Sequence, residues 1–257
     1  MRRPLQRLTV AVAWGLVALV IAFLYAPLVP PAIKSFVTAA GQGLFANYAA
    51  ILTDQRLMAA ARLSVLVGVL VALIAPLLAL IAAEAVRVWR IPRLVIAIVL
   101  IPLFVPGISM GLATALFFQM LGISPSLLTI TAVQVIWALP FAFLIVLTGL
   151  ANFDPVLREA AHMSGANRLQ AFFEIELPQI QHAILGAAVF SLILSFNETI
   201  RTSVVQGGRN TVQTYLWAQY QQVGLLPNLY ALMTILIVAT LVLLAVLAVL
   251  GARETAA

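Results

Sequence analysis

An all-α integral membrane protein with six transmembrane helices is the expectation for this chain, and three observations carry it. The 257 residues are 64% hydrophobic and only 9% charged, with a mean hydropathy of +1.13. Soluble domains carry about 25% charged residues, so too little polar surface is available here to cover a protein in water. Charge is also missing over long runs: Leu8–Ile33, Leu63–Ala83, Leu94–Phe153, Leu177–Asn197 and Asn210–Ala252. One span needs about 20 apolar residues, so Leu94–Phe153 holds two, with a turn at Gly122-Ile123-Ser124-Pro125-Ser126. Finally, the runs do not alternate polar and apolar as barrel strands do, which leaves helices as the spanning element.

The first span is placed near Leu8–Val29. Its apolar run is long for a signal peptide and leads into Pro27-Leu28-Val29-Pro30-Pro31, without a small-residue cleavage site, so it reads as an uncleaved span. The outer segment Pro30–Leu57 follows, and Asn47–Arg62 is mixed enough in polarity for a short interfacial helix. The second span is Leu63–Ala83, where Ala59, Ala60, Ala61 and Gly68 allow close helix packing. The third, Leu94–Leu121, contains Pro102, Pro106, Gly107 and Gly111, which kink or unwind a helix. Broken helices are tolerated at membrane depth where they line a cavity or are buried in protein, so a substrate pathway and a packing kink both fit. The fourth span is Leu127–Leu150, the fifth His182–Ile200 and the sixth Leu229–Leu250. The tail, Arg253-Glu254-Thr255-Ala256-Ala257, reads as a solvated end. Residues 1–257 form a single transmembrane domain in this reading, with a cytoplasmic loop at 152–178.

Orientation follows from Lys and Arg. With the N-terminus inside, the inner segments hold Arg2, Arg3, Arg7, Arg87, Arg90, Arg93, Arg158, Arg168 and Arg253, and the outer ones hold Lys34, Arg56, Arg62, Arg201 and Arg209. The larger inner set puts both termini in the cytoplasm, with Trp89 and Tyr25 as interfacial anchors. The net charge of +6 reflects this topology and anionic membrane lipid. No basic face is clustered as nucleic-acid binding requires. Without cysteine, disulfides and thiolate metal sites are excluded.

The segment Asn152–Pro178 is the one structured, charged island between spans. Asp154 and Pro155 make a helix start, the helix runs over Val156–Ser164, and Gly165 offers a left-handed C-terminal position. A second short helix is expected over Asn167–Ile175, with Pro178 breaking the chain before the fifth span. Arg158 and Glu159 point to water, and Ala160 and Ala161 give a small surface for close packing by another protein. On periodicity alone, an interfacial helix that stabilises the bundle is the better-supported reading.

Glu159-Ala160-Ala161-x3-Gly165-x9-Ile175-x-Leu177-Pro178 resembles the signature loop of the permease subunits of bacterial binding-protein-dependent ABC importers. The resemblance runs from about Asn47 to Val249 and implies a type I ABC importer permease fold in the bacterial inner membrane. It implies that Arg158–Gln170 forms a coupling helix docking on a cytoplasmic ATPase, with Arg158, Glu159, Ala160, Ala161, Gly165 and Arg168 at the contact. His162 and Ser164 depart from the expected residue types, which leaves partner choice open. No Gly-x4-Gly-Lys-Ser/Thr phosphate loop is present. The resemblance thus implies a permease and not an enzyme, with no cofactor on this chain and ATP and Mg on two separate ATPase subunits. A second permease subunit, expected as a heterodimer partner, and an external solute-binding protein complete the implied assembly.

A narrower resemblance links Ser195-Phe196-Asn197-Glu198, Val105-Pro106-Gly107-Ile108-x-x-Gly111 and Trp137-Ala138-Leu139-Pro140-Phe141 to the spermidine/putrescine branch. It implies a cationic polyamine, with Ser195, Phe196, Asn197, Glu198, Pro106 and Gly107 along the pathway. Glu198 sits at or just inside the outer boundary, where a carboxylate is costly unless it faces water, a partner or substrate. A local ion pair with Arg201 three residues on is the competing reading. A phosphonate or another small solute stays open, since Arg201 or Arg209 suits an anion. Phe104, Phe117, Phe118, Phe141, Phe143 and Phe196 suit a gate or cation box, although core and lipid-facing positions are the expectation for most of them. From other classes, a secondary transporter would show more intramembrane charge and inverted repeats. An intramembrane metalloenzyme would need more than His162 and His182, which lack a neighbouring acid pattern.

Overall fold

The computed structural model describes residues 2–39, 41–89 and 92–254, and every regular element among them is helical. Arg90, counted in the inner basic set, and Thr255-Ala256-Ala257 of the tail lie outside the described residues. Five helical runs are long and apolar enough to cross a membrane: Val12–Lys34, Gln55–Val88, Leu127–Ala151, Arg168–Phe196 and Pro227–Val249. A sixth crossing exists only if the bent pair Pro92–Phe104 and Gly107–Met120 is one span.

The chain divides into two compact units. The first joins Met1–Gln55 to Tyr220–Ala239. Helix α1 (Arg2–Tyr25) continues through a 3₁₀ turn at Ala26–Leu28 into α2 (Val29–Lys34), and α3 covers Ala46–Thr53. Ser35 ties this unit together. Its hydroxyl donates to the Ala32 carbonyl at 2.6 Å and lies 2.8 Å from the Tyr48 hydroxyl, while Asn47 Nδ2 donates to the carbonyls of Ser35 and Val37. Lys34 Nζ sits 5.3 Å from the Tyr230 ring centroid. Helix α1 buries nothing in its most apolar window, and Trp14 and Phe23 are exposed, a surface that only lipid or another apolar partner can cover.

The second unit joins Arg56–Gln219 to Thr240–Ala257. Helix α4 (Gln55–Val88) is longer than the expected second span and takes up much of the expected interfacial helix, so Arg56 and Arg62 ride on it. Its buried stripe, Val67, Val71, Ala75, Ala79 and Ala83, repeats every fourth residue, one face of an α-helix. The stripe shares a core with Ile130, Val133, Ala138, Ala142, Phe143 and Val146 of α7 (Leu127–Ala151). Small residues set the closest approaches. A Cβ on Gly149 would lie 2.4 Å from Ala183 Cβ on α10 (Leu177–Phe196), and one on Gly68 would lie 2.9 Å from Leu192 Cδ1.

The expected third span is broken. Helix α5 (Pro92–Leu100) and the 3₁₀ turn Ile101–Phe104 meet α6 (Gly107–Met120) at 104° across Val105-Pro106. Pro106 lacks the N–H that would continue the ladder, and Val105 before it is extended, with ψ 124, as a residue preceding proline prefers.

The loop differs from expectation in one respect. After α8 (Pro155–Met163), α9 (Arg168–Gln170) runs without interruption through a π-helical segment, Ala171–Glu176, into α10. Pro178 does not break the chain. It lies in the first turn of α10, and the π turn, in which Leu177 N–H reaches the Phe172 carbonyl, opens the helix just ahead of the ring. Span five therefore begins well before His182. The remaining helices are α11 (Ile200–Val205), α12 (Val212–Val223) and α13 (Pro227–Glu254).

Candidate functional site

Two polar sites stand out in the second unit. The first is the loop. Asp154 accepts from Val156 N–H at 2.9 Å and starts α8, with Pro155 in its first turn. At the other end Gly165 adopts φ +90. Ala166 N–H bonds the Ala161 carbonyl and Gly165 N–H that of His162, each at 3.0 Å, the double closure of a left-handed helix cap. His162 Nδ1 lies 3.0 Å from the Ala166 carbonyl, which requires its proton on Nδ1. Asn167 and Gln170 then cap α9 reciprocally, both bonds at 2.9 Å.

Glu159, Ala160, Gly165 and Arg168 are exposed, and Arg158 and Ala161 are half-buried. Val156, Met163 and Leu169 are exposed apolar neighbours, Met163 by 89%. In the second part of the signature, Ile175 and Leu177 are half-buried and Pro178 is exposed.

Beneath α8 lies a charge cluster. Glu176, 1% exposed, accepts from Arg87 at the end of α4 and faces Arg158 of α8 at 3.9 Å. Arg87 also donates to Glu84 at 2.5 Å. Glu84, Arg87, Arg158, His162, Arg168 and Glu176 border a cavity of about 480 Å³. One buried carboxylate thus joins α4, α8 and the start of α10. Sequence reasoning passed over this hub. Glu176 fills a variable place between Ile175 and Leu177, and Arg87 served only as an orientation marker.

The second site lies at the other end of α10. Glu198 is 4% exposed. One carboxylate oxygen accepts from Arg201 N–H and the other from Arg201 Nη1, both at 2.7 Å. The Arg201 guanidinium lies 3.8 Å from the Trp137 ring centroid, a cation–π contact. Gly107 and Gly111 make room for it: Cβ atoms there would lie 3.3 Å from Arg201 Cζ and 3.2 Å from its backbone. Trp137 is ten residues into α7, about 15 Å along the axis. Next to the pair, Ser195 donates to Gln134 Oε1, and Gln134 Nε2 donates to Thr202 at 2.8 Å. The local ion pair weighed for Glu198 is the arrangement found.

Of the other pathway candidates, Ser195 is buried in this network and Phe196 is half-buried against Gly68. Asn197 is exposed and bonds the Ile193 carbonyl at 2.8 Å, and Pro106 is exposed beside Gly107. The six phenylalanines do not form one box: Phe143 is fully buried, Phe104 is 82% exposed, and Phe141 packs edge-on against Trp137. Of the two residues that organise the site, Trp137 was legible as part of a motif and Gln134 only as part of an apolar span.

The fold agrees with what comparison finds. The family model for the inner membrane component of binding-protein-dependent transport systems matches residues 75–253, well over half the chain. The chain belongs to this family. It is therefore a permease, a multi-pass membrane subunit without an enzymatic role of its own. Among its relatives, the spermidine/putrescine permease PotC of Escherichia coli K12 is 27% identical over 236 residues, 89% of each chain. The putrescine permease PotI of the same organism is 28% identical over 240 residues, 87% of this permease and 85% of PotI. In fold, the permease is similar to a chain of a bacterial ABC transporter that imports the acidic polysaccharide alginate, with TM-score 0.67, 18% identity and 98% and 97% coverage. It also resembles an amino acid ABC transporter chain, with TM-score 0.60, 17% identity, and 80% of this chain and 97% of that one covered.

Proposed function

We propose that this permease forms half of the pore of an ATP-driven importer and carries a polyamine such as putrescine or spermidine inward. Its partners in this reading are two cytoplasmic ATPase subunits, which bind the ATP and Mg, a second permease in a heterodimer, and an external solute-binding protein. Both termini face the cytoplasm of a bacterial cell with six crossings, the bent pair α5–α6 counted as one.

The Glu176 hub is the observation that carries the reading. Helix α8 presents Glu159 and Ala160 on an exposed, doubly capped surface, with Ala161 half-buried beside them and Arg158 turned toward Glu176. A displacement of α8 by a closing ATPase dimer is delivered through Glu176 to α4 and α10 together, a rigid-body transmission. Gly165 and Arg168 complete the docking face, and Ile175, Leu177 and Pro178 form the stiff link to α10.

The polyamine assignment rests on the relatives named for putrescine and spermidine and on Glu198. A substrate ammonium reaches Glu198 by exchanging with Arg201, with Ser195, Phe196, Asn197, Pro106 and Gly107 around it. One observation favours an anion such as a phosphonate instead: Arg201 Nε has no hydrogen-bond partner among the described residues. Proteoliposomes holding the whole transporter, fed by the cognate binding protein loaded from a solute panel, decide the matter. Uptake of putrescine or spermidine driven by ATP supports the assignment. Uptake of a phosphonate and no polyamine refutes it while leaving the permease role intact.

A further inference from the structure

The charge cavity under α8 has an apolar neighbour. It shares Glu84 and Phe172 with a second cavity of about 610 Å³ between α4 and α10, bordered by Leu73, Pro76, Leu77, Phe173, Leu185 and further apolar residues. Each volume falls in the range of about 300–1,000 Å³ usual for small-molecule sites. Apart from Glu84, every side chain bordering the second cavity is apolar. An apolar slot therefore abuts a basic chamber at Glu84 and Phe172.

The charges of the chamber are unequal. Arg87, Arg158 and Arg168 face Glu84 and Glu176. Arg87 pairs with both carboxylates, and Arg158 stands 3.9 Å from Glu176. Among the described residues no carboxylate lies within ion-pair range of Arg168, and His162 adds a polar ring. Counted over its bordering side chains, the chamber is one positive charge in excess.

We propose that slot and chamber together hold one anionic glycerophospholipid, with an acyl chain between α4 and α10 and the phosphate on Arg158 and Arg168. A single negative charge matches the excess, and only an amphiphile joins that charge to an apolar chain across the Glu84–Phe172 seam. Neighbouring Trp89 is exposed, as a residue at the headgroup level should be. The inference rests on the membrane position of α4 and α10 and not on the transported solute. It makes the lipid a wedge beneath α8, in contact with the elements that Glu176 joins.

The transporter is purified in mild detergent from membranes of known phosphatidylglycerol and phosphatidylethanolamine content, and retained lipid is counted by mass spectrometry. The expected result is one lipid per permease chain, enriched in phosphatidylglycerol over the membrane. Arg168→Glu, an exposed change that spares the core, should cut that enrichment by about fivefold or more, given about 1 kcal/mol per basic residue near an anionic surface. Ala188→Trp, which fills the slot, should remove the retained lipid, and a photo-crosslinker at Leu77 should label lipid. Absence of retained lipid, retention without headgroup preference, unchanged retention in Ala188→Trp, or crosslinking of Leu77 to a neighbouring subunit each overturns the proposal.

Discussion

Glu176 accepts a hydrogen bond from Arg87 across 89 residues of sequence, although its own side chain is almost wholly out of contact with solvent. Removing one partner of a buried pair costs about 3–5 kcal/mol. Arg87 is 31% exposed, so screening brings the expectation down to about 1–3 kcal/mol. Glu176→Gln should lower the unfolding temperature of the purified permease and abolish solute-stimulated ATP hydrolysis while basal hydrolysis persists. Arg158→Gln, at 3.9 Å, should cost well under 1 kcal/mol by the same measurement. Equal losses in the two variants would show that Glu176 is no hub.

Gly165 holds φ +90 with open space around the position of a Cβ. Gly165→Ala therefore meets no clash, only backbone strain of about 1–2 kcal/mol. Its cost falls on the cap of α8 and not on the core. Uptake should drop several-fold with membrane insertion and melting temperature nearly unchanged. Glu159→Lys, on the exposed face, should behave alike, and wild-type uptake in both would remove the loop from ATPase coupling.

Glu198 and Arg201 should show strong thermodynamic coupling. Arg201→Met leaves a buried carboxylate without its counter-ion, and Glu198→Gln leaves the buried guanidinium without an opposite charge. Each single change should destabilise by about 3–5 kcal/mol, whereas the double variant Glu198→Gln/Arg201→Met should recover much of that loss. Chemical denaturation in detergent reads the stability and the uptake assay reads the pathway. A double variant that is stable yet inactive puts the pair in transport, and one that is stable and fully active confines it to structure.

Among the described glycines, a Cβ on Gly149 would meet the nearest neighbour, and no side chain fits there. Gly149→Ala should destabilise by about 1–3 kcal/mol through overpacking against Ala183. Gly186→Ala makes a useful control, because its nearest neighbours stand 3.8 Å and 3.9 Å from the Cβ position. Thermal melts of the two variants should differ clearly.

Charge-free runs located the spans because burial in lipid excludes charge from single stretches of chain, a property each stretch displays alone. The caps of α8 were equally legible: Asp154, Pro155 and Gly165 act on backbone atoms within a few positions of themselves. The third span's break was visible in Pro106, but its 104° angle depends on how α6 packs with α11. The continuous helix through Pro178 was not visible, because a π turn leaves no compositional mark. The polar network of Gln134, Ser195 and Thr202 escaped notice for another reason. Its members sit 61 and 68 residues apart, and only folding makes them partners.

The π segment Ala171–Glu176 has a geometric consequence. Each residue added to or removed from a helix turns everything beyond it by about 100°. The extra residue of the π turn thus sets the phase between Leu169 on the loop and Ile180 and Ala187 in the core. Were one residue of this segment deleted, the helix would stay continuous, yet α10 would present a different side to α7. The segment acts as a crankshaft offset: it lets one rigid rod meet water on one azimuth and the bundle on another.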